Sequence, residues 1–166
     1  MRSLPNVLSL SRLALAVLFV PAGHGARIVL ICLAGATDFL DGWLARRTHS
    51  TTRWGALVDP IADRLFVLVA IVMYVLNGEL SVGEMLLLLP RDIATALAFV
   101  IARAVPSLRA LEFKARFPGK VVTVFQLVTL LAVAIGVRPL SPLIAVVALA
   151  SIVAIVDYTR VLWEAK

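Results

Sequence analysis

Apolar residues fill this chain in runs that are each about as long as a bilayer is thick, and that restricts what it can fold into more than any other feature. Cut at polar and turn-forming clusters, the sequence divides into Pro5–Pro21, Ala26–Ala45, Thr52–Leu76, Val82–Ala104, Pro118–Gly136 and Pro142–Trp163. A helix that crosses the hydrocarbon core needs about 20 mostly apolar residues. The breaks, such as Gly23-His24-Gly25 and Asn77-Gly78-Glu79, are short and favour antiparallel neighbours. The chain is 61% hydrophobic and 16% charged, against about 45–50% and about 25% in ordinary soluble domains. That balance excludes a soluble enzyme, a secreted domain and a nucleic-acid-binding protein. No stretch alternates as barrel strands do. The expected fold is all-α: one polytopic membrane domain over residues 1–166, with six transmembrane helices. Its N-terminal start is amphipathic, because Asn6, Ser9, Ser11 and Arg12 interrupt the apolar run.

Charge sets the orientation. With the N-terminus in the cytoplasm, that side receives Arg2, Arg12, Arg46, Arg47, Arg53, Arg103, Arg109, Lys114, Arg116, Lys120, Arg160 and Lys166. The opposite side receives Arg27 and Arg138, while Arg64 and Arg91 fall inside the apolar runs. Cytoplasmic loops of membrane proteins carry the excess of Lys and Arg, so both termini are expected in the cytoplasm. The net charge of +6 then reads as loops facing anionic lipid, and no nucleic-acid partner is expected.

The acids break the pattern of a passive membrane protein. Asp38, Asp41, Asp59 and Asp63 fall within 26 residues, at the cytoplasmic ends of the second and third runs. A carboxylate in a membrane segment costs on the order of 3 kcal/mol and so marks a function. Asp38 and Asp41 are three apart, and Asp59 and Asp63 four apart, so each pair shares a helical face. If the intervening hairpin brings the pairs together, their repulsion requires protonation or bridging cations. Oxygen-only donors suit Mg²⁺ or Mn²⁺ rather than zinc, and two such ions would balance four carboxylates at a phosphoryl-transfer site. Gly42, Ala45 and Gly55 lie one turn from these acids. Their small size gives a ligand, or a packed neighbouring helix, access to the backbone. Arg46 is a fork donor suited to phosphate.

Asp38-x2-Asp41-Gly42-x2-Ala45-Arg46-x8-Gly55-x3-Asp59-x3-Asp63 resembles, at all eight fixed positions, the signature of the CDP-alcohol phosphatidyltransferases. Eight specified residues, each at a usage below about 10%, coincide by chance far less often than about once in a million. Leu4-Pro5-Asn6-Val7-Leu8-Ser9 with Arg12 resembles the N-terminal segment of that family. Gly119-Lys120, Thr123 and Gln126 resemble its Gly-Lys…Thr…Gln stretch at the start of the fifth helix. The last run carries nothing specific.

The resemblance implies a six-helix enzyme of the cell membrane, usually a homodimer, whose site faces the cytoplasm. It implies transfer of the phosphatidyl group of CDP-diacylglycerol to an alcohol, with release of CMP. Carried over residue by residue, Asp38, Asp41, Asp59 and Asp63 would hold two divalent ions, Mg²⁺ or Mn²⁺. Asp63 would also be the catalytic base. Asn6, Gly42, Ala45, Arg46 and Gly55 would form the nucleotide cradle. Arg91, Arg103, Arg109, Lys114, Arg116 and Lys120 are the expected acceptor-binding cations, although the positive-inside rule and an Arg91–Asp92 ion pair explain several of them equally well. Within the family the phosphatidylglycerophosphate and cardiolipin synthase branches are the most similar, with glycerol 3-phosphate the expected acceptor, phosphatidylglycerol the alternative, and an inositol phosphate or serine ranked behind both. A cation transporter is the competing class. Its sites lie at the midplane, however, whereas these acids lie at one face. All eight signature positions are intact, which also counts against a member of the fold that has lost catalysis.

Overall fold

The computed structural model describes the backbone over residues 4–48, 55–104 and 117–164, and the side chains over 11–40, 64–98 and 117–160. Among these residues there are seven helices and no strand: α1 (Leu4–Phe19), α2 (His24–Thr48), α3 (Gly55–Leu76), α4 (Val82–Leu88), α5 (Pro90–Ala104), α6 (Phe117–Ala134) and α7 (Ser141–Glu164). The all-α expectation holds, and five of the six apolar runs match one helix each. The amphipathic start is not a separate element; α1 runs on from Leu4 without a break.

The fourth run is the exception. Val82–Ala104 forms two helices that meet at Leu89. Pro90 has no N–H to extend the hydrogen-bond ladder of α4 but suits the first position of a new helix. Upstream, Ser81 caps α4: its Oγ accepts from the Glu84 N–H at 3.2 Å, while its own N–H donates to Glu84 Oε2 at 2.8 Å. That reciprocal pair fixes where the helix begins.

Two helices end alike. After α3, Gly78 takes φ 72°, its N–H donates to the Val75 carbonyl at 3.0 Å, and the Glu79 N–H donates to Tyr74 at 2.8 Å. After α6, Gly136 takes φ 74°, with the matching bonds from Gly136 to Val133 and from Val137 to Ala132. This left-handed closure satisfies the last carbonyls of each helix and favours glycine.

α1 packs on both α2 and α3, α6 packs on α2, α3 and α7, and α7 covers α4 and α5. The core gathers around Phe19, whose ring meets Phe66 and Tyr74 edge-on at 5.7 Å each, with Ile71, Leu130 and Val147 fully enclosed nearby. The usual polarity of a protein is partly inverted. Phe39, Leu76, Leu149 and Phe117 are 64–79% exposed, whereas Arg12, Arg27 and Arg91 are 3–7% exposed. An apolar exterior with cations inside suits lipid as the surrounding solvent. Among the described residues, α6 and Ser141–Arg160 of α7 are long and apolar enough to cross a membrane.

Arg27 and Arg138, the two cations expected at one face, both turn to Glu79. Arg27 Nη1 lies 3.3 Å from Glu79 Oε1, with its guanidinium over the rings of Phe19 and Tyr74 at 5.3 and 5.4 Å. Arg138 donates to the Glu79 carbonyl at 2.6 Å. This clasp joins the α3–α4 connection to the start of α2 and to the α6–α7 connection.

Candidate active site

Further along the helices from the Glu79 clasp, the first signature aspartate faces a narrow cleft. Arg12, Ala34, Asp38, Phe66, Val67, Thr123 and Leu127 line it, so α1, α2, α3 and α6 all contribute. These are the four helices that carry the resemblance. Arg12 Nη1 lies 3.5 Å from Asp38 Oδ1, and the side chains are 4% and 44% exposed. The cation is therefore enclosed and its carboxylate partner is open to the cleft. Ala34, one turn before Asp38, keeps that stripe of α2 narrow enough for α1 and α6 to approach it.

The other signature residues lie on the same helices. Asp41, Gly42, Ala45 and Arg46 follow Asp38 in α2, Gly55, Asp59 and Asp63 fall in α3, and Asn6 falls in α1. Their side chains lie outside the described residues. In α3, Val67 stands four residues after Asp63 and eight after Asp59, a spacing that shares one helical stripe. Arg103 is in the last turn of α5, its side chain again outside the described residues, and Arg109, Lys114 and Arg116 lie outside them altogether. Lys120 is exposed on the first turn of α6.

Behind the cleft is a buried polar network that joins α3, α5, α6 and α7, and Asp92 is its hub. Asp92 Oδ1 accepts from Arg91 Nη1 at 3.1 Å and lies 3.9 Å from Arg64 Nε, while Oδ2 accepts from Gln126 Nε2 at 2.6 Å. Gln126 uses its second N–H on the Leu88 carbonyl at 2.7 Å. One amide thus ties α6 to both sides of the α4–α5 junction. Arg64 Nη1 also donates to Thr95 Oγ1, whose hydroxyl donates to the Arg91 carbonyl at 2.7 Å. Arg91 Nη1 reaches Thr123 Oγ1 at 3.3 Å. A charged side chain left unpaired in hydrocarbon costs about 2.5–3.5 kcal/mol on insertion scales, and these partners offset that cost.

Gly119 shows how closely the network is packed. A Cβ there would stand 2.7 Å from Tyr158 Oη and 2.8 Å from Arg91 Nη2. The backbone of α6 therefore passes close to the guanidinium, and a larger residue there would have to displace the ends of Arg91 and Tyr158. Gly119, Thr123 and Gln126, noted in the sequence, converge on this network. Arg64, Thr95 and Tyr158 join it although sequence reasoning gave them no role. An arginine inside an apolar run was the available signal for Arg64. Tyr158 offered none, because it lies on the helix read as unspecific.

As for a metal, the described residues contain no group of three or more His, Cys, Asp or Glu side chains that could hold one. Of the four aspartates, Asp38 alone has a described side chain. It offers a half-exposed, hard oxygen donor at the cleft, as a Mg²⁺ or Mn²⁺ ligand must.

Comparison with known proteins agrees with this geometry. The sequence pattern of the CDP-alcohol phosphatidyltransferases matches residues 2–158. A CDP-diacylglycerol--glycerol-3-phosphate 3-phosphatidyltransferase of Aquifex aeolicus is 32% identical over 141 residues, covering 80% of this chain and 76% of that protein. A cardiolipin synthase (CMP-forming) of Streptomyces coelicolor is 36% identical over 100 residues, 54% of this chain and 46% of its own length. A CDP-diacylglycerol--glycerol-3-phosphate 3-phosphatidyltransferase of Bacillus subtilis is 30% identical over 122 residues, 61% and 63% respectively. The match thus spans about half to three quarters of the length of these relatives. With nearly the whole chain inside the family pattern and the signature carboxylate at a cleft of the four helices that bear it, this protein belongs to the CDP-alcohol phosphatidyltransferase family.

Proposed function

We propose that the protein transfers the phosphatidyl group of CDP-diacylglycerol to the hydroxyl of a glycerol-type alcohol, first of all glycerol 3-phosphate, and releases CMP. The observation that carries this reading is the Asp38 carboxylate, held 3.5 Å from an enclosed Arg12 and open to a cleft between α1, α2, α3 and α6. The names of the Aquifex and Bacillus relatives support the acceptor.

In this reading Asp38, Asp41 and Asp59, with Asp63, hold two divalent ions, Mg²⁺ or Mn²⁺. Such ions, when bound, neutralise the pyrophosphate and its developing charge. Asn6, Gly42, Ala45, Arg46 and Gly55 receive the nucleotide and its phosphates. Asp63 takes the proton of the acceptor hydroxyl as that oxygen bonds to the phosphatidyl phosphorus. The pyrophosphate P–O bond breaks, and its electrons leave with CMP. Lys120, Arg103, Arg109, Lys114 and Arg116 supply positive charge toward an anionic acceptor. Arg91, bound by Asp92 and Thr123, is itself buried.

The same reading has the chain cross the cell membrane six times as a homodimer, with both termini and the site on the cytoplasmic side. α4 and α5 together then form one interrupted crossing. Their 7 and 15 residues give about 33 Å at ~1.5 Å per residue, enough for the hydrocarbon core.

The test is CMP release in detergent with Mg²⁺ and CDP-diacylglycerol, run in parallel with glycerol 3-phosphate and with phosphatidylglycerol. Release with glycerol 3-phosphate is the expected result. Release with phosphatidylglycerol alone would replace it with the second reading, a cardiolipin synthase. The Streptomyces relative and the Arg91-Asp92 sequence, which resembles that branch, favour this alternative. Silence with both acceptors would overturn the glycerol-type assignment.

A further inference from the structure

We propose that Asp92 is a positioning residue for the reaction, acting through Arg64 on the turn of α3 that carries Asp63. The inference rests on the reading above in giving Asp63 a role in catalysis. Everything else comes from the polar network.

Arg64 follows Asp63 directly in α3, so its side chain leaves the helix about 100° around from that of Asp63. It is held at two points, both on α5: Asp92 Oδ1 lies 3.9 Å from its Nε, and Thr95 Oγ1 accepts from its Nη1. A guanidinium hydrogen-bonded to Thr95 and drawn by the Asp92 charge, one turn apart on a neighbouring helix, favours one depth and one rotation of its own turn. The main packing partners of α3 are α1, α6 and α4, whereas α5 lies chiefly on α7. The Arg64 contacts are therefore a polar tie between two helices whose apolar packing is directed elsewhere.

Asp92 is itself held rigidly. Arg91 and Gln126 occupy its two oxygens at 3.1 and 2.6 Å, and Gln126 is also anchored on the Leu88 carbonyl. The carboxylate therefore cannot follow Arg64; Arg64 must come to it. An error of about 1 Å in a reacting group costs on the order of a hundredfold in rate. A rigid reference on α5 for the α3 turn that bears the base is thus a kinetic requirement, beyond any contribution to folding.

The experiment measures kcat and both KM values for the full-length protein in detergent, with wild type and Asp63→Asn alongside. Asp92→Asn keeps the shape and the Gln126 contact but removes the charge that faces both Arg91 and Arg64, so the comparison with Arg64→Met and the double variant isolates the Arg64 part. The expected result is a 10- to 100-fold fall in kcat, with KM for CDP-diacylglycerol changed less than about twofold. Arg64→Met should match it. The double variant should be no slower than the slower single one, because the two residues act as one unit. Arg64→Lys keeps the charge but loses the two-point grip; its expected fall in kcat is about 3- to 10-fold, and it remains the test should the Asp92 variant not fold. Unchanged kcat in Asp92→Asn overturns the proposal. So does a rise in acceptor KM with kcat intact, which would make Arg64 a substrate contact, and so do fully multiplicative effects of the two substitutions. Failure of the underlying reading looks different: wild type would release no CMP, or Asp63→Asn would remain active.

Discussion

Replacing Gly119 by alanine adds a single methyl group to the start of α6, and the structure specifies what that methyl meets. Its carbon would lie 2.7 Å from Tyr158 Oη, 2.8 Å from Arg91 Nη2 and 3.5 Å from Arg91 Cζ. Ordinary contact begins near 3.5 Å, so each polar atom must retreat by about 0.7 Å. Arg91 has little freedom to do so. Its Nη1 is bound to Asp92 at 3.1 Å and to Thr123 at an already long 3.3 Å, and the second of these yields first. Overpacking of a tight site costs about 1–3 kcal/mol, and weakening a hydrogen bond to a charged group adds on the order of 1 kcal/mol. A loss of about 2–4 kcal/mol follows, which lowers the melting temperature by ~5–15 °C for a chain of this size. The assay is thermal unfolding in detergent followed by intrinsic fluorescence, with CMP release measured on the same samples. Tyr158→Phe in the Gly119→Ala background removes the nearer of the two obstacles and should restore part of the loss. An alanine variant that melts with wild type would refute the close approach of α6 to Arg91.

Asp63→Asn should abolish turnover while CDP-diacylglycerol binding, followed by equilibrium dialysis of labelled lipid, stays within a few-fold of wild type; near-normal activity would remove Asp63 from the role of base. Chelation by EDTA should silence CMP release and excess Mg²⁺ should restore it, and activity that survives exhaustive chelation would exclude the divalent ions. Gln126→Leu leaves the Leu88 carbonyl and one oxygen of Asp92 without their donor. A destabilisation of about 2–3 kcal/mol, read as a fall in melting temperature, is expected. Glu79→Gln should cost about 1–2 kcal/mol of stability through the loss of its charge pairing with Arg27 and leave kcat unchanged, because Glu79 is not among the residues that line the cleft and its backbone carbonyl still holds Arg138.

Much of this architecture could be read from hydrophobic run length alone. α3 and α6 end just before Gly78 and Gly136, α2 begins just after Gly23, and α7 begins at Ser141-Pro142, because those residues act locally on the backbone. Val82–Ala104 reads as one run yet forms two helices for the complementary reason: run length passes over a single proline and is blind to its missing N–H. The sidedness of charges carried less than a count implies. Arg27 and Arg138 count toward one side of the membrane in a charge tally, yet both are bound to Glu79. The signature marked α2 and α3, and the Gly-Lys…Thr…Gln stretch marked α6. That Thr123 and Gln126 would meet Arg91 and Asp92 was not legible, since such contacts join residues more than 30 apart and depend on how the helices are rotated. Arg12 opposite Asp38 is of the same kind. Tyr158 was invisible because its importance lies in its distance from Gly119, a relation that no pattern within α7 expresses.

The Glu79 clasp makes the bundle a lever. It pins the end of α3 to the start of α2 and to the connection between α6 and α7, through an ion pair, a carbonyl and two aromatic rings. α3 extends 22 residues from there, about 33 Å at ~1.5 Å per residue. A tilt of about 5° around that fulcrum would move the far end of the helix by roughly 3 Å over this length, and the Arg64 contacts to Asp92 and Thr95 oppose that swing. Phe66 and Val67, which line the cleft, lie between the clasp and the Arg64 tie, so the wall they form is braced on both sides like a beam on two supports.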